Sequence, residues 1–495
     1  MQARWHTASR EELIAELERQ QREIERQQRE IERLRREHER ADLDRNRYRQ
    51  QRDTLRKKID RLEDQLDDAK RKMYRQAAPF SRGTAASAPR PPGRRAGRAY
   101  GRKAHRAIPT HIDERHRARL PEACPQCRGR LRRTGTARQY QEDLPIVRPI
   151  VRAFTIEIGR CDACGCRVQG RHPLQTSDAL GAAAAQLGPQ AITLAAVLHT
   201  RLGLPLAKVS TLFRERFGLH VTAGGLVQAL HRAADRASPT YDALRTQVRQ
   251  SAVVTPDETG WKVGGQLQWL WAFATPDTTL YAILPGRGFE EAASVLGADF
   301  MGTLVRDGWS PYRRFDQAVH QTCLAHLLRR CRALIADHGE YRFAPRVQRI
   351  LQHALHARDR YAAGHLSAHG LTVSRGHLIN QLNALIDRPG PRRVARAFAA
   401  HLAVEFPAVF TFLLEPEAID ATNWRAEHAL RPAVVTRKVC GGNRSARGAQ
   451  TQQVLASVLQ TIHQRRLDAA PLFDHLLRSP QPITILTPPT AAGLH

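Results

Sequence analysis

This 495-residue sequence is poor in methionine and in long apolar runs, and short of acidic side chains relative to basic ones. It carries 48 Asp and Glu against 78 Lys and Arg, a formal charge of +30 and a pI near 11.0. Such an imbalance excludes acidic, self-solvating chain types and points to a polyanionic partner. The longest apolar stretch, Ala191 to Leu198, falls far short of the ~20 residues of a membrane span, so no transmembrane helix and no membrane partner are expected. The first residues, with Trp5, His6 and a run of Glu and Arg, lack the apolar core of a secretory signal, and a cytoplasmic protein is expected. Cysteine is sparse at 8 residues but clustered, and C-x-x-C pairs in a long chain of a reducing compartment read as metal ligands before disulfides. A hydrophobic fraction of 42% argues against global disorder, and the length is enough for about three domains.

One heptad frame runs unbroken from Leu13 to Met73. Leu17, Ile24, Ile31, Ile59, Leu66 and Met73 fall at a, and Leu13, Leu34, Tyr48, Leu55 and Leu62 at d, the mark of a self-associating coiled coil. His38, Arg45, Arg52, Gln20 and Gln27 interrupt the seam, and the alternative is a solvated helix held by i, i+4 ion pairs. Residues 1–78 are therefore read as an oligomerisation segment making a homo-oligomer. From Ser81 to Arg106 the chain turns to Pro, Gly, Ala and Arg with no acidic residue. Residues 79–110 read as a basic linker, and Arg94, Arg95, Arg98, Arg102 and Lys103 within it are candidate DNA-backbone contacts.

Cys124-Pro-Gln-Cys127 and Cys161-Asp-Ala-Cys164-Gly-Cys166 follow, spaced by expected strands at 139–147 and 151–158. Two knuckles, each giving two thiolates from one chain reversal, suit a tetrahedral Zn²⁺ site in a module of residues 111–172, with Cys166 able to replace Cys164. Residues 180–245 read as helical. A helix entered through Leu204-Pro205-Leu206, a turn ending at Thr222 as N-cap, and a second helix with Leu226, Val227 and Leu230 inward match a helix-turn-helix, a pattern that ordinary packed helices share.

Beyond Ser251 the pattern becomes strands at 252–256, 267–274 and 280–284, a helix at 289–296 and a strand at 302–306. This order opens a ribonuclease-H-like α/β layer. Asp257 is expected to close its first strand and Asp307 its fourth, so that parallel neighbouring strands bring the two carboxylates to one end of the sheet, where hard cations such as Mg²⁺ or Mn²⁺ bind oxygen. Glu427, in Asn423-Trp424-Arg425-Ala426-Glu427-His428, lies 120 residues beyond Asp307 and is the best third acid. Two ions held by such acids suit in-line displacement at phosphorus. Trp261 and Trp271 are candidates either for stacking on an unpaired base or for packing the sheet.

These residues resemble a known family. Asp257-Glu258-Thr259-Gly260-Trp261, Trp269-Leu270-Trp271-Ala272-Phe273-Ala274-Thr275, Asp307-Gly308-Trp309-Ser310-Pro311-Tyr312, Cys323-Leu324-Ala325-His326 and the segment from Ala426-Glu427 to Gly448-Ala449 are similar to the transposases of the insertion sequence 66 family. The order of coil, basic linker, zinc module and catalytic segment is similar as well. The resemblance implies catalytic Asp257, Asp307 and Glu427 holding Mg²⁺ or Mn²⁺, and a catalytic domain of residues 250–465 with a helical insertion at about 330–416. It implies a near-site structural or DNA-positioning role for Cys323 and His326. Residues 466–495 are left as a C-terminal tail. Arg431, Arg437 and Lys438, after the Glu, are candidate phosphate clamps. The partners implied are transposon ends and target DNA in the bacterial nucleoid, with accessory proteins of the same element. Departures are Trp424 where a second Asn is usual, Leu324 where Trp is common, and Trp309 where Tyr is frequent. The functional expectation is a metal-dependent DNA transposase. A non-catalytic DNA-binding regulator or inactive remnant is the alternative, and a structure-specific nuclease a third reading.

Overall fold

The computed structural model describes residues 10–74, 107–180 and 186–486. The linker arginines Arg94, Arg95, Arg98 and Arg102 and Lys103 lie outside the described residues. The chain divides into two units, Met1–Gly93 and Arg94–His495.

Among the described residues of the first unit there is one helix, α1 (Arg10–Tyr74), 65 residues without a break. Its repeated Glu and Arg at helical spacing form the ion pairs expected of a solvated surface, among them Arg19–Glu16, Arg33–Glu30 and Arg45–Asp42. Leu17, Ile24, Ile31, Leu34 and Tyr48 of the heptad seam stand exposed on it. An apolar stripe on a long polar helix is the surface that a second helix covers in a coiled coil.

The described part of the second unit opens, from residue 107, with an extended segment. The strands expected at 139–147 and 151–158 do not form; the only pairing is a short antiparallel hairpin, β1 (Ile158–Arg160) with β2 (Arg167–Gln169), closed by the turn that carries Cys161, Cys164 and Cys166. Most of residues 139–157 is solvent-exposed, so no apolar face pays for a sheet there.

Helices α2 (Pro189–Ala196), α3 (Leu206–Phe217) and α4 (Ala223–Arg249) follow. Gly218 closes α3 in the left-handed region at φ 65°, and Thr222 caps α4 by accepting from the Gly225 amide at 3.0 Å. The helix-turn-helix outline is thus present. Its second helix is longer than a reading head needs, and Leu226, Ala229, Leu230, Ala233, Ala237 and Leu244 bury its inner face against the central sheet.

That sheet has five strands: β3 (Val253–Val263), β4 (Gln266–Ala274), β5 (Thr279–Leu284), β6 (Thr303–Arg306) and β7 (Val319–Thr322), in the order β5-β4-β3-β6-β7. β3, β4 and β5 are antiparallel neighbours, while β3, β6 and β7 run parallel. Helix α5 (Phe289–Leu296) makes the crossover into β6. Along β4 the side chains alternate, Trp271 and Phe273 joining the core under α4, Leu270 and Ala272 the core on the opposite face. A sheet covered on both faces explains why β4 reads as a nearly continuous apolar run.

The edge strand β5 is sealed by a helix. Helix α11 (Ala446–Gln464), which follows α10 (Trp424–Cys440), sets Gln453, Ser457 and Thr461 on one face at intervals of one turn. These side chains accept from the amides of Ile283, Tyr281 and Thr279, which share one strand edge. Helical and strand periodicities thereby match, and the free amides of an edge are satisfied.

Helix α6 (Leu324–His338) leaves β7 directly, and α7 (Phe343–Ala362), α8 (Ala368–Asp387) and α9 (Arg393–Glu405) build a separate helical core from Leu327 through Phe398 and Leu402 to Ala421 before the chain returns at α10. Arg393–Leu413 is the one described stretch with the length and hydropathy of a membrane span. It is broken after α9 by Pro407, and Phe398, Leu402, Val409 and Phe410 are buried in this helical core. The segment set apart as a tail contains a helix, α12 (Ala469–Arg478), whose Phe473, Leu476 and Leu477 are buried in the main core with Leu486.

Candidate active site

The expected first strand is longer than the sequence suggested. β3 continues to Val263, and Asp257 pairs with Ala272 of β4 in its middle rather than at its end. What ends near Asp257 is the other edge. The parallel ladder to β6 comprises Val253 with Thr303 and Val254 with Leu304, and the same offset carried on sets Asp257 opposite Asp307, just past the end of β6. Sheet alternation puts Asp257 on the face of Trp261 and Val263, which packs on α10, the helix that carries Glu427.

Helix α10 is fixed across that face by specific bonds. The Tyr281 hydroxyl donates to the Ala429 carbonyl at 2.6 Å, and Arg437 donates to the Thr259 hydroxyl at 2.9 Å and to the Gly260 carbonyl. The α10–α11 turn is tied to β3 through Asn443, whose amide donates to the Lys262 carbonyl at 2.9 Å. Gly442 has φ 111°, and a Cβ there would fall 2.3 Å from the Lys262 carbonyl oxygen, so only glycine fits the approach.

The electrostatics show that the acids share one field. Burial, then the charges of Glu258 and Asp307, and more weakly Glu427, push the Asp257 carboxyl up to about 7, against one bond from the Glu258 amide that opposes the shift. Glu427 itself is exposed, and its Oε1 lies 4.0 Å from Nε2 of His326. The Asp307 carboxylate accepts from the Trp309 amide at 2.9 Å. Among the described residues no group of three or more His, Cys, Asp or Glu side chains is drawn together as a closed metal shell, so the acids stand within electrostatic reach of one another without that spacing.

Cys323 and His326 lie beside this cluster. Cys323 caps α6, is buried, and its amide donates to the Arg306 carbonyl at 2.8 Å, while the Leu324 amide donates to Ala421 at 2.9 Å. The junction thereby ties the end of β6 to the approach to α10. Burial, reinforced by Arg329, lowers the His326 pKa despite Asp307 and Glu427. His326 Nδ1 and both amide atoms of the buried Asn423 have no hydrogen-bond partner, a condition rare in folded cores outside strained or reactive sites.

Several residues that sequence reasoning passed over hold the site. Glu258, on the opposite face of β3, has a side chain only 1% exposed and accepts from Arg287 at 2.5 Å and from the Tyr312 hydroxyl. Arg306, next to Asp307, donates to the Asp307 carbonyl at 2.9 Å and to Glu405 of α9 at 2.5 Å, and Arg313 donates to the other Glu405 oxygen at 2.9 Å. A Cβ at Gly308 would lie 3.0 Å from the His401 ring, so the helical insertion abuts the backbone that follows Asp307. Only the acids' position before strand-breaking residues was a sequence signal; partners such as Glu405, far along the chain, left none.

The model of the Transposase IS66 family matches residues 184–451, which span α2 to the start of α11 and include every acid described above. The chain belongs to the IS66 transposase family. No curated protein matches. A transposase acts on DNA, a partner that accords with a charge of +30.

Other expectations fare differently. Trp261 and Trp271 are buried, their indole N–H groups donating to Asn443 Oδ1 at 2.7 Å and to the Gly286 carbonyl at 3.2 Å, so they pack the sheet and cannot stack on a base. Arg431 and Lys438 are exposed on α10, whereas Arg437 is engaged with β3 as a strut. The thiols of Cys124 and Cys127 are close to each other, and that of Cys164 is close to those of Cys166 and Cys161. Backbone N–H groups of Cys127 and Gln126 lower the Cys124 pKa, and those of Cys166 lower that of Cys164. The structure does not gather the two knuckles into one shell.

Proposed function

We propose that this IS66-family chain cleaves and joins DNA strands at transposon ends through Asp257, Asp307 and Glu427, a DDE triad on a ribonuclease-H-like sheet. The observation that carries the reading is the setting of Asp257: Glu258, Asp307 and Glu427 lie within electrostatic reach of it, and among the described residues no Arg or Lys side chain is bonded to it, in a chain that otherwise has a large cationic excess. The strand order β5-β4-β3-β6-β7, with Asp257 on β3 and Asp307 just past the end of its parallel neighbour β6, supports the fold assignment.

An oxygen-only set of mutually repelling carboxylates fits Mg²⁺ or Mn²⁺ better than any softer ion. Asp257 and Asp307 would hold it and Glu427 would complete the site. When bound, such ions neutralise charge at the attacked phosphorus and favour ionisation of the attacking hydroxyl. The chain's own part is positioning. Arg306 fixes the backbone of Asp307, the Trp309 amide orients its carboxylate, and His326 stands next to Glu427. Arg431 and Lys438, exposed on the helix of Glu427, are placed to meet backbone phosphates.

The two knuckles fit Zn²⁺ in donor type, and their N–H···S bonds favour thiolates, so Cys124, Cys127, Cys161 and Cys164 would hold one ion. Helix α1 would pair with a second copy through Leu17, Ile24 and Ile31.

The test is strand cleavage and joining on DNA carrying the sequences that flank the gene, with Mg²⁺ or Mn²⁺, beside Asp307→Asn. Activity lost in the variant with DNA binding retained is the expected result. Binding by both proteins without scission would instead make the chain a DNA-binding regulator or an inactive remnant.

A further inference from the structure

Among the described residues the tryptophans divide sharply. Trp261 and Trp271 are buried and Trp269 half-buried, whereas Trp309 is 36% and Trp424 48% exposed. Both open indoles lie within three residues of an acid, Trp309 after Asp307 and Trp424 before Glu427. A large aromatic surface left in water forfeits the burial that normally stabilises it, so two such rings beside one cluster call for a partner.

Trp309 is held in place. Its indole N–H donates to the Arg287 carbonyl at 3.1 Å, and its amide donates to the Asp307 carboxylate at 2.9 Å. The Arg287 guanidinium lies 4.1 Å from the Trp309 ring centroid and 5.0 Å from that of Trp269. Arg287 is in turn anchored by the buried Glu258, whose second oxygen accepts from Tyr312. Carboxylate, cation and indole thus form a layered platform from the sheet outward. A cation against an indole is attracted by the ring face and immobilises the ring in one orientation. Two residues span at most roughly 7 Å of chain, so the indole reaches a nucleotide adjoining any phosphate held at Asp307.

We propose that the Trp309–Arg287 stack is a seat for an unpaired nucleobase of the DNA strand bound at the acids. The inference rests on the DNA strand-transfer reading for its ligand, and its chemistry is that of single-strand recognition: a π surface for the base, which is indifferent to base identity, and a guanidinium beside the backbone. A paired base inside a duplex has both faces covered and cannot use the seat.

The experiment compares two oligonucleotide duplexes, one with a single unpaired adenine at a 3′ end and one with an abasic residue there, by fluorescence anisotropy at fixed salt. The protein is the full chain carrying Asp307→Asn, which retains the oxygen that accepts from the Trp309 amide and performs no chemistry. That protein should bind the adenine duplex about tenfold more tightly. Adding Trp309→Ala should remove the preference while leaving affinity for the abasic duplex unchanged, and Trp309→Phe should keep part of it. A preference that survives Trp309→Ala, an equal loss on both duplexes, or no preference at the outset would each overturn the proposal. Because no cleavage is read, a failure of the catalytic reading in the strand-transfer assay leaves this result standing, and the reverse holds too.

Discussion

Two carboxylates, Glu405 and Asp257, are treated in opposite ways. Glu405, in the helical insertion, is fully buried and receives Arg306 and Arg313, one on each oxygen. Burial alone would raise its pKa, but Arg306, the Thr322 hydroxyl and His401 outweigh it and hold the group below the ordinary range. Asp257, on the sheet, has one amide bond and three acidic neighbours, and stands near 7. The protein satisfies the carboxylate that holds the scaffold and leaves unsatisfied the one at the proposed reaction centre. Structural acids are neutralised from within; an acid reserved for chemistry awaits a charge from elsewhere.

The comparison is broken most severely at the acids themselves. Asp257→Asn should reduce strand cleavage at least 1,000-fold on the order expected when a metal-holding group is lost, measured as product per enzyme in Mg²⁺ and Mn²⁺, while DNA affinity stays within a few-fold. An Asp257→Asn protein that cleaves normally would end the DDE reading.

Glu405→Gln comes next. It leaves Arg306 buried without its counter-charge, and breaking one side of such a pair costs about 3–5 kcal/mol, visible as a lower midpoint in urea. Arg313→Ala should cost much less, because its side chain is 34% exposed and water screens it. Equal losses in the two variants would show that Glu405 is not held mainly by Arg306.

Stability against pH separates the two carboxylates by sign. The folded pKa of Asp257 is raised, so its contribution is fully present below the ordinary 3.8 and is lost as pH rises through about 7. Without divalent ions, Asp257→Asn should therefore melt above the parent at pH 8, the gap closing toward pH 4. For Glu405 the folded pKa is lowered. Its contribution is present above the ordinary carboxylate range and is lost as pH falls through the depressed value, so the deficit of Glu405→Gln should shrink only in acid. Melting curves at pH 4, 6 and 8 check both, and a parallel response of the two variants would sink the contrast.

The smallest effect on the sheet unit is expected from the cysteines. Cys124→Ser should lower bound zinc, read by atomic absorption, and loosen the segment around residues 111–172 with little change in the melting of the main core. Unchanged zinc stoichiometry would remove the proposed module.

Much of the strand and helix order was legible because alternation in β4, the glycine and threonine boundaries of α3 and α4, and the heptads of α1 are local signals. β7 was missed since Val319–Thr322 is four residues long with no apolar alternation. The true length of β3 was missed because Asp257, Glu258 and Thr259 interrupt its apolar character, for the same reason that they matter. Strands were expected at 139–147 and 151–158, and with no second layer to cover them these segments stay unpaired.

The amino-acid sequence by itself determined the family and the cationic surplus, and it singled out Asp257, Asp307 and Glu427 as candidates, since these are carried by residue type and spacing. Only the tertiary structure decided which tryptophans face water, that Arg437 is a strut, and that Glu405 steadies the backbone of Asp307. Those outcomes depend on contacts between residues tens to hundreds of positions apart, whose pairing is set when the sheet closes its edge and the insertion folds back on it, and no local pattern encodes that geometry.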